Sequence, residues 1–185
     1  RLVAVKKLAS RWVAGWVCGV LLVPALLWAQ PAKKGFVHTQ GTQLVDGDGH
    51  PLLLRGINLG NWFEVEGYMF HFDGGPQSPR EIEDLTRELL GPEKAEQFWQ
   101  QWRANYITEA DMDRIHAMGF NSVRVPLHWK FFSSEDTEGF KLLDQLVGWA
   151  KKDGIYVILD MHCAPGGQTG TNIDDSYGYP WLFVS

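Results

Sequence analysis

Asn121-Ser-Val-Arg-Val-Pro-Leu-His-Trp129 and Ile155-Tyr-Val-Ile-Leu-Asp-Met-His-Cys-Ala-Pro-Gly-Gly-Gln-Thr-Gly170 decide the fold. The second stretch is an apolar run, Ile155 to Leu159, that passes at Asp160 straight into a polar, glycine-containing loop. The first has the same form about one βα unit earlier, with a strand expected over Asn121 to Pro126 and a second over Ile155 to Asp160. Between them Glu138 to Asp153 carries Leu142, Leu143, Leu146, Val147 and Ala150 at helical spacing and stops at Gly154. Strand, helix, strand implies a parallel pair. An Arg or a His at the end of each strand stands where a β/α barrel builds its active site.

Working back toward the N-terminus, Thr108-Glu-Ala-Asp111 opens a helix in capping-box form, with Ile107, Met112, Ile115 and Met118 at helical spacing and Gly119 as its stop. Glu93 to Asn105 reads as a helix, and so does Pro79 to Leu90, which halts at Gly91-Pro92. Residues 61–79 form a long irregular stretch whose Trp62, Phe63, Tyr68, Phe70 and Phe72 argue for a functional loop rather than disorder. Arg55 to Gly60 reads as a strand running into a loop, and Gln43 to Asp46 with Pro51 to Arg55 reads as a hairpin around Gly47-Asp-Gly-His50. The order is hairpin, strand, helices, strand, helix, strand: an α/β chain with three of the eight strands that a closed barrel needs.

The first 30 residues are a zone of their own. Arg1, Lys6, Lys7 and Arg11 precede an uncharged apolar run of 18 residues, Trp12 to Ala29, and no acidic residue comes before Asp46. A basic segment followed by an apolar one is the layout of a secretory signal peptide. With Ala29 at −1 the −3 position is Leu27, so an uncleaved membrane anchor is the alternative, the run reaching the lower limit for spanning. Either way a secreted or periplasmic location is expected. Residues 31–35 read as a linker and residues 36–185 as the N-terminal part of a barrel domain. The chain begins with Arg1 rather than Met and ends on apolar residues, so it is expected to be part of a longer protein, and the open edge of a three-stranded sheet to invite aggregation.

Taking the four basic residues of that zone from the total of 17 leaves 13 against 22 acidic residues, a net of −9, which disfavours nucleic acid or an anionic membrane as partner. Of the two cysteines only Cys163 then remains, so no intrachain disulfide is expected. The histidines show no metal-ligand spacing, and Gly166-Gly167 has no following Lys or Arg to make a phosphate cradle, so neither metal nor nucleotide is expected.

Leu54-Arg-Gly-Ile-Asn-Leu-Gly-Asn-Trp62, Gly119-Phe-Asn-Ser-Val-Arg-Val-Pro126 and Val157-Ile-Leu-Asp-Met-His-Cys-Ala-Pro-Gly166, in that order and spacing, resemble glycoside hydrolase family 5. The His-X-Ala-Pro-Gly-Gly-Gln loop leans toward its exo-β-1,3-glucanase-like and related bacterial branches. The resemblance implies a secreted (β/α)8 TIM barrel that hydrolyses β-glucans by a retaining mechanism without a cofactor. It implies that Arg124 steadies the nucleophile, that His162 lines the sugar subsite beside the scissile bond, that Glu66 binds sugar hydroxyls and that Trp129 stands near that site. Asp174 and Asp175 are candidates for an aspartate that follows the His loop. Cys163 stands where the glucanases often carry Gly, which implies a crowded or redox-sensitive loop. The acid/base and nucleophile glutamates of the family follow the fourth and seventh strands, so both are expected beyond Ser185, and the chain alone is expected to be inactive. A non-catalytic exported carbohydrate-binding or degenerate barrel protein is the alternative.

The residues carry part of this by themselves. Arg124 alternates with Val123 and Val125; with the valines toward the outer helices it faces the barrel interior, as a site residue or in a structural ion pair. His162 shares a side of its strand with Asp160, which suits fixing a neighbouring ring or loop amide, and its other reading is a core histidine. Asn58 either bonds a sugar hydroxyl or ties a loop, and Trp62 and Trp129 either stack on sugar or fill the core. Glu64 and Glu66 share a face if extended; otherwise they are surface charges of a loop, and neither is assigned the catalysis.

Overall fold

A computed structural model describes residues 35–134, 137–176 and 178–184. The expected signal or anchor and most of the expected linker lie outside the described residues. Among those described, no helix is long and apolar enough to cross a membrane. The chain divides into two units, one through Pro51 and one from Leu52 onward.

In the first unit β1 (His38–Gln40) pairs antiparallel with β2 (Gln43–Val45). The hairpin thus turns at Gly41-Thr42, one turn earlier than the Asp-Gly stretch that the sequence pointed to. Gly41 takes φ 62°, the left-handed backbone that a two-residue hairpin turn requires. At the later turn the Asp46 carboxylate accepts from the backbone N–H of Asp48 and of His50, both at 2.9 Å. Those side-chain bonds close the turn locally, Pro51 has no N–H to offer a ladder, and a single bridge, Val45 to Pro51, forms there.

The second unit holds a parallel sheet in the order β3 (Gly56–Asn58), β4 (Ser122–His128), β5 (Tyr156–Cys163). Asn58 is level with Arg124, and Arg124 with Ile158. The helices are α1 (Pro79–Leu90), α2 (Pro92–Tyr106), α3 (Glu109–Ala117) and α4 (Glu138–Asp153). All four fall where the apolar spacing and the caps put them. Ser78 caps α1 by accepting from Glu81 N at 3.2 Å, while the Glu81 carboxylate takes Ser78 N at 3.2 Å. At α3 the Asp111 carboxylate takes both the N–H and the hydroxyl of Thr108, at 2.9 and 2.7 Å.

The alternation of β4 sorts its side chains. Val123, Val125 and Leu127 enter one core with Met112 and Ile115 of α3 and Leu143, Leu146 and Ala150 of α4. Arg124 therefore lies on the opposite face, as Val-Arg-Val requires. Trp62 and Phe63 join the same core, which settles Trp62 as packing rather than a sugar platform. A second cluster joins Val65 to Ile82 of α1 and Trp99 of α2, so the aromatic-rich segment 61–79 is packed rather than loose. Beyond β5 the sheet has no further strand among the described residues, and Leu159 and Met161 are exposed on the face that carries the valines in β4.

Leu146 has no exposed surface, and truncating it to Ala leaves a cavity worth roughly 2–5 kcal/mol. Val147→Ala, at the next and half-exposed position, is expected to change stability by under about 0.5 kcal/mol. Urea denaturation of both variants checks this; similar losses at the two positions would contradict the face assigned to α4.

Candidate active site

Asn58 at the end of β3, Arg124 on β4, and Asp160 and His162 toward the end of β5 come together on one face of the sheet. Arg124 Nη1 donates to Asn58 Oδ1 at 3.1 Å. Its Nη2 donates to Asp160 Oδ2 and lies 3.1 Å from His162 Nδ1. His162 Nδ1 is also 3.0 Å from Asp160 Oδ2. Asp160 thus fixes the neighbouring ring, the role that its place two residues back suggested.

His162 owes its aim to an irregularity of the sheet. The β4–β5 register pairs Leu127 with Met161 and His128 with Cys163, which leaves His162 as the extra residue of a bulge. Bulges commonly re-aim a side chain beside a site. Gln168 reaches back to donate to the His162 carbonyl and accepts from Ala164 N at 3.1 Å, so the glycine-rich loop is tied to the bulge. Gly167 cannot be replaced cheaply there: an added Cβ would fall 1.9 Å from Ser176 Oγ.

Glu66 reaches the cluster from the loop after β3. Asn61 Oδ1 accepts from Glu66 N at 2.8 Å, and Trp102 Nε1 donates to the Asn61 carbonyl at 2.8 Å, so α2 anchors the loop that presents this carboxylate. Tyr68 donates its hydroxyl to Glu66 Oε2 at 3.2 Å. Glu64, Glu66 and His162 each offer an atom of metal-ligating type within 4.8 Å of the others. Arg124 already supplies positive charge beside them, and the three side chains carry no further mark of a metal centre.

Glu64 is a correction. It is 1% exposed rather than a surface charge of the loop, and neither carboxylate oxygen has a hydrogen-bond partner. Burial, then the charges of Glu66, Asp175 and Asp160, push its carboxyl up to about 8 against the opposing pull of Arg124. Nothing in the sequence signals this, because alternation in an irregular segment does not say which carboxylate goes in.

The two aspartates of the later loop part ways. Asp175 accepts from His128 Nε2 at 3.2 Å and from Arg80 N at 3.1 Å. The backbone N–H of Lys130 donates to His128 Nδ1 at 3.3 Å, so the ring proton sits on Nε2 and points at Asp175. Burial would raise the Asp175 carboxyl, but the His128 bond, the Arg80 N–H and the Arg80 charge outweigh it and hold the group below its ordinary value. Asp174 is turned into its own loop. It takes the N–H of Gln168 at 2.8 Å and of Thr169 at 2.6 Å, and the Ser176 hydroxyl at 2.5 Å. Trp129 is 40% exposed at the end of β4, with its ring 6.4 Å from that of His128. Cys163 is fully buried, and burial followed by the charges of Glu64, Asp175 and Asp174 raises its thiol, so it is a poor nucleophile rather than a redox-sensitive one.

A parallel sheet whose strand ends converge a guanidinium, an imidazole, an amide and carboxylates is the plan of a β/α enzyme site. The family model for cellulase (glycosyl hydrolase family 5) matches residues 86–179, and the chain belongs to that family. Among curated relatives, a beta-xylosidase of Phanerodontia chrysosporium is 34% identical over 139 residues, 72% of this chain and 29% of that protein. A probable glucan 1,3-beta-glucosidase A of Neosartorya fischeri is 31% identical over 156 residues, 80% of this chain and 36% of its own length. The chain thus spans about a third of the relatives it matches. The crystal structure of rutinosidase from Aspergillus niger shares the fold, with a TM-score of 0.58 at 22% identity over 71% of this chain and 38% of that one.

The raised carboxyl of Glu64 fixes a pH dependence. Between its ordinary value of 4.5 and about 8 the folded state holds a proton that the unfolded state has lost, so stability falls as pH rises through that window and levels off above it. Glu64→Gln removes the penalty. The variant is expected to gain up to roughly 3 kcal/mol over the parent at pH 8, and little at pH 5. Denaturation at both pH values measures the difference; a gain independent of pH would contradict the assignment.

Proposed function

We propose that the protein to which this chain contributes is an exported β-glycosidase that hydrolyses β-glucans with retention of configuration. The supporting observation is the Arg124 cluster that links three consecutive parallel strands on one face of the sheet, in a chain of family 5. Residues 36–185 are read as the first part of a (β/α)8 barrel. The exposed outer face of β5 supports a sheet that continues, since Leu159 and Met161 gain cover only from a further βα unit. The apolar N-terminal run is read as the export signal, or as an anchor if it stays uncleaved.

Retaining hydrolysis needs two carboxyl groups about 5–5.5 Å apart, one to attack the anomeric carbon and one to protonate the leaving oxygen. Both are assigned to the remainder of the protein. Arg124 would grip the nucleophile and keep it ionised, because a guanidinium stays charged and matches a carboxylate. Asp160 and Asn58 already hold that guanidinium in place. His162, Asn58 and Glu66 would take sugar hydroxyls, with Trp129 beside them and Asp175 bracing the His128 end of β4. Asp174, with its acceptor capacity spent on loop N–H groups, would set the loop shape rather than touch sugar. No cofactor enters this chemistry. Beta-glucan is the favoured substrate because the N. fischeri relative is named a probable glucan 1,3-beta-glucosidase A and a second relative, from Wickerhamomyces anomalus, is named glucan 1,3-beta-glucosidase 2.

The full-length protein is expected to release reducing sugar from β-linked glucan, and Arg124→Met to lower kcat/KM on the order of 100-fold or more. Residues 31–185 alone are expected to show no turnover. Turnover by that segment would move the chemistry onto Glu64 and Glu66 and overturn the assignment.

A further inference from the structure

Glu64 has no role in the scheme above, yet it is the most costly side chain of the site. Its own segment packs Trp62 and Phe63 into the core and leaves Glu66 half-buried at the mouth. The Glu64 and Glu66 carboxyl oxygens lie within 4.8 Å of each other and of a His162 nitrogen. The charged and titratable groups around Glu64 are Glu66 and Tyr68 from its own segment, Arg124 from β4, Asp160, His162 and Cys163 from β5, and Asp175 from the loop beyond. The guanidinium among them is already shared by Asn58 and Asp160, so the remaining field is negative. A carboxyl buried without a hydrogen-bond partner beside a second carboxyl is held toward its neutral form, in which it has a proton to donate. A buried donor left unpaired is destabilising. Glu66 is a negative group within 4.8 Å; no direct hydrogen bond joins the two carboxyl groups in this arrangement, so the contact requires a change of rotamer or a bridging water.

We propose that Glu64 is a positioning residue, a protonated carboxylic acid that donates its hydrogen to the Glu66 carboxylate and so holds that carboxylate ready to accept a sugar hydroxyl. The pair carries one negative charge between two carboxyl groups. When Glu64 gives up its proton to solvent at alkaline pH, two like charges face each other and Glu66 is driven off its place. Sugar affinity then falls, an effect read in KM and separate from the alkaline loss of the leaving-group acid, which is read in kcat. This consequence rests on the glycosidase reading; the carboxyl pair itself does not.

The test has two arms on the full-length protein. In the first, carboxyl carbon NMR of 13C-glutamate-labelled protein should show a protonated glutamate at pH 7 whose titration also shifts the Glu66 signal, and Glu64→Gln should abolish both. In the second, wild-type KM should rise about tenfold from pH 7 to pH 9, while the alkaline fall of kcat set by the leaving-group acid should be the same in wild type and in Glu64→Gln. Glu64→Gln, whose amide still donates, should keep KM low and flat, and Glu64→Val should raise it at every pH. An ionised Glu64 at pH 7, or an alkaline rise in KM that persists in Glu64→Gln, overturns the proposal. A carboxyl pair seen by NMR in a protein that cleaves no β-glycoside would overturn the glycosidase reading and leave the pair in place.

Discussion

One cation organises the strand ends. Arg124 spans from Asn58 on β3 to Asp160 and His162 on β5, so a single guanidinium joins the three parallel strands at the edge where a substrate would sit. It is there because β4 alternates: two valines buried against α3 and α4 force the residue between them to the other face. The packing of the helices and the placement of the charge are thus one constraint. A one-residue slip of β4 would put a guanidinium into an apolar core and a valine into the site.

The carboxyl groups divide according to the partners they reach. Asp160 is bound to it directly. Asp175 finds a different partner set in His128 and Arg80. Asp174 is satisfied by loop N–H groups and the Ser176 hydroxyl. Glu64, last in this order, receives only an indirect pull from Arg124 and is driven toward its neutral form. A carboxyl that reaches a donor is favoured in its charged form, and one buried without a donor is pushed toward its neutral form.

Regular periodicity made much of this legible in the sequence. The four helices, the strand pair around Glu138 to Asp153 and the inward face of Arg124 follow from apolar spacing and capping residues, which act locally. The hairpin was misplaced because a glycine turn and an Asp-Gly turn lie a few residues apart, and the Asp46 side chain closes the second without a ladder. The burial of Trp62 and Glu64 was not legible, since residues 61–79 have no period to count. The bulge at His162 and the reach of Asp175 to Arg80 and His128 are set by tertiary contacts between distant segments, which leave no local signature.

The measurement that bears most directly on a sugar site at these strand ends is a crystal structure of the full-length protein with a β-linked gluco-oligosaccharide. Ring hydroxyls within hydrogen-bonding distance of Asn58, Glu66 and His162, with Arg124 against a carboxylate contributed by the rest of the chain, are the expected result. An oligosaccharide bound elsewhere, with Arg124 engaged only by Asn58, Asp160 and His162, would make the cluster a structural ion pair and contradict the account.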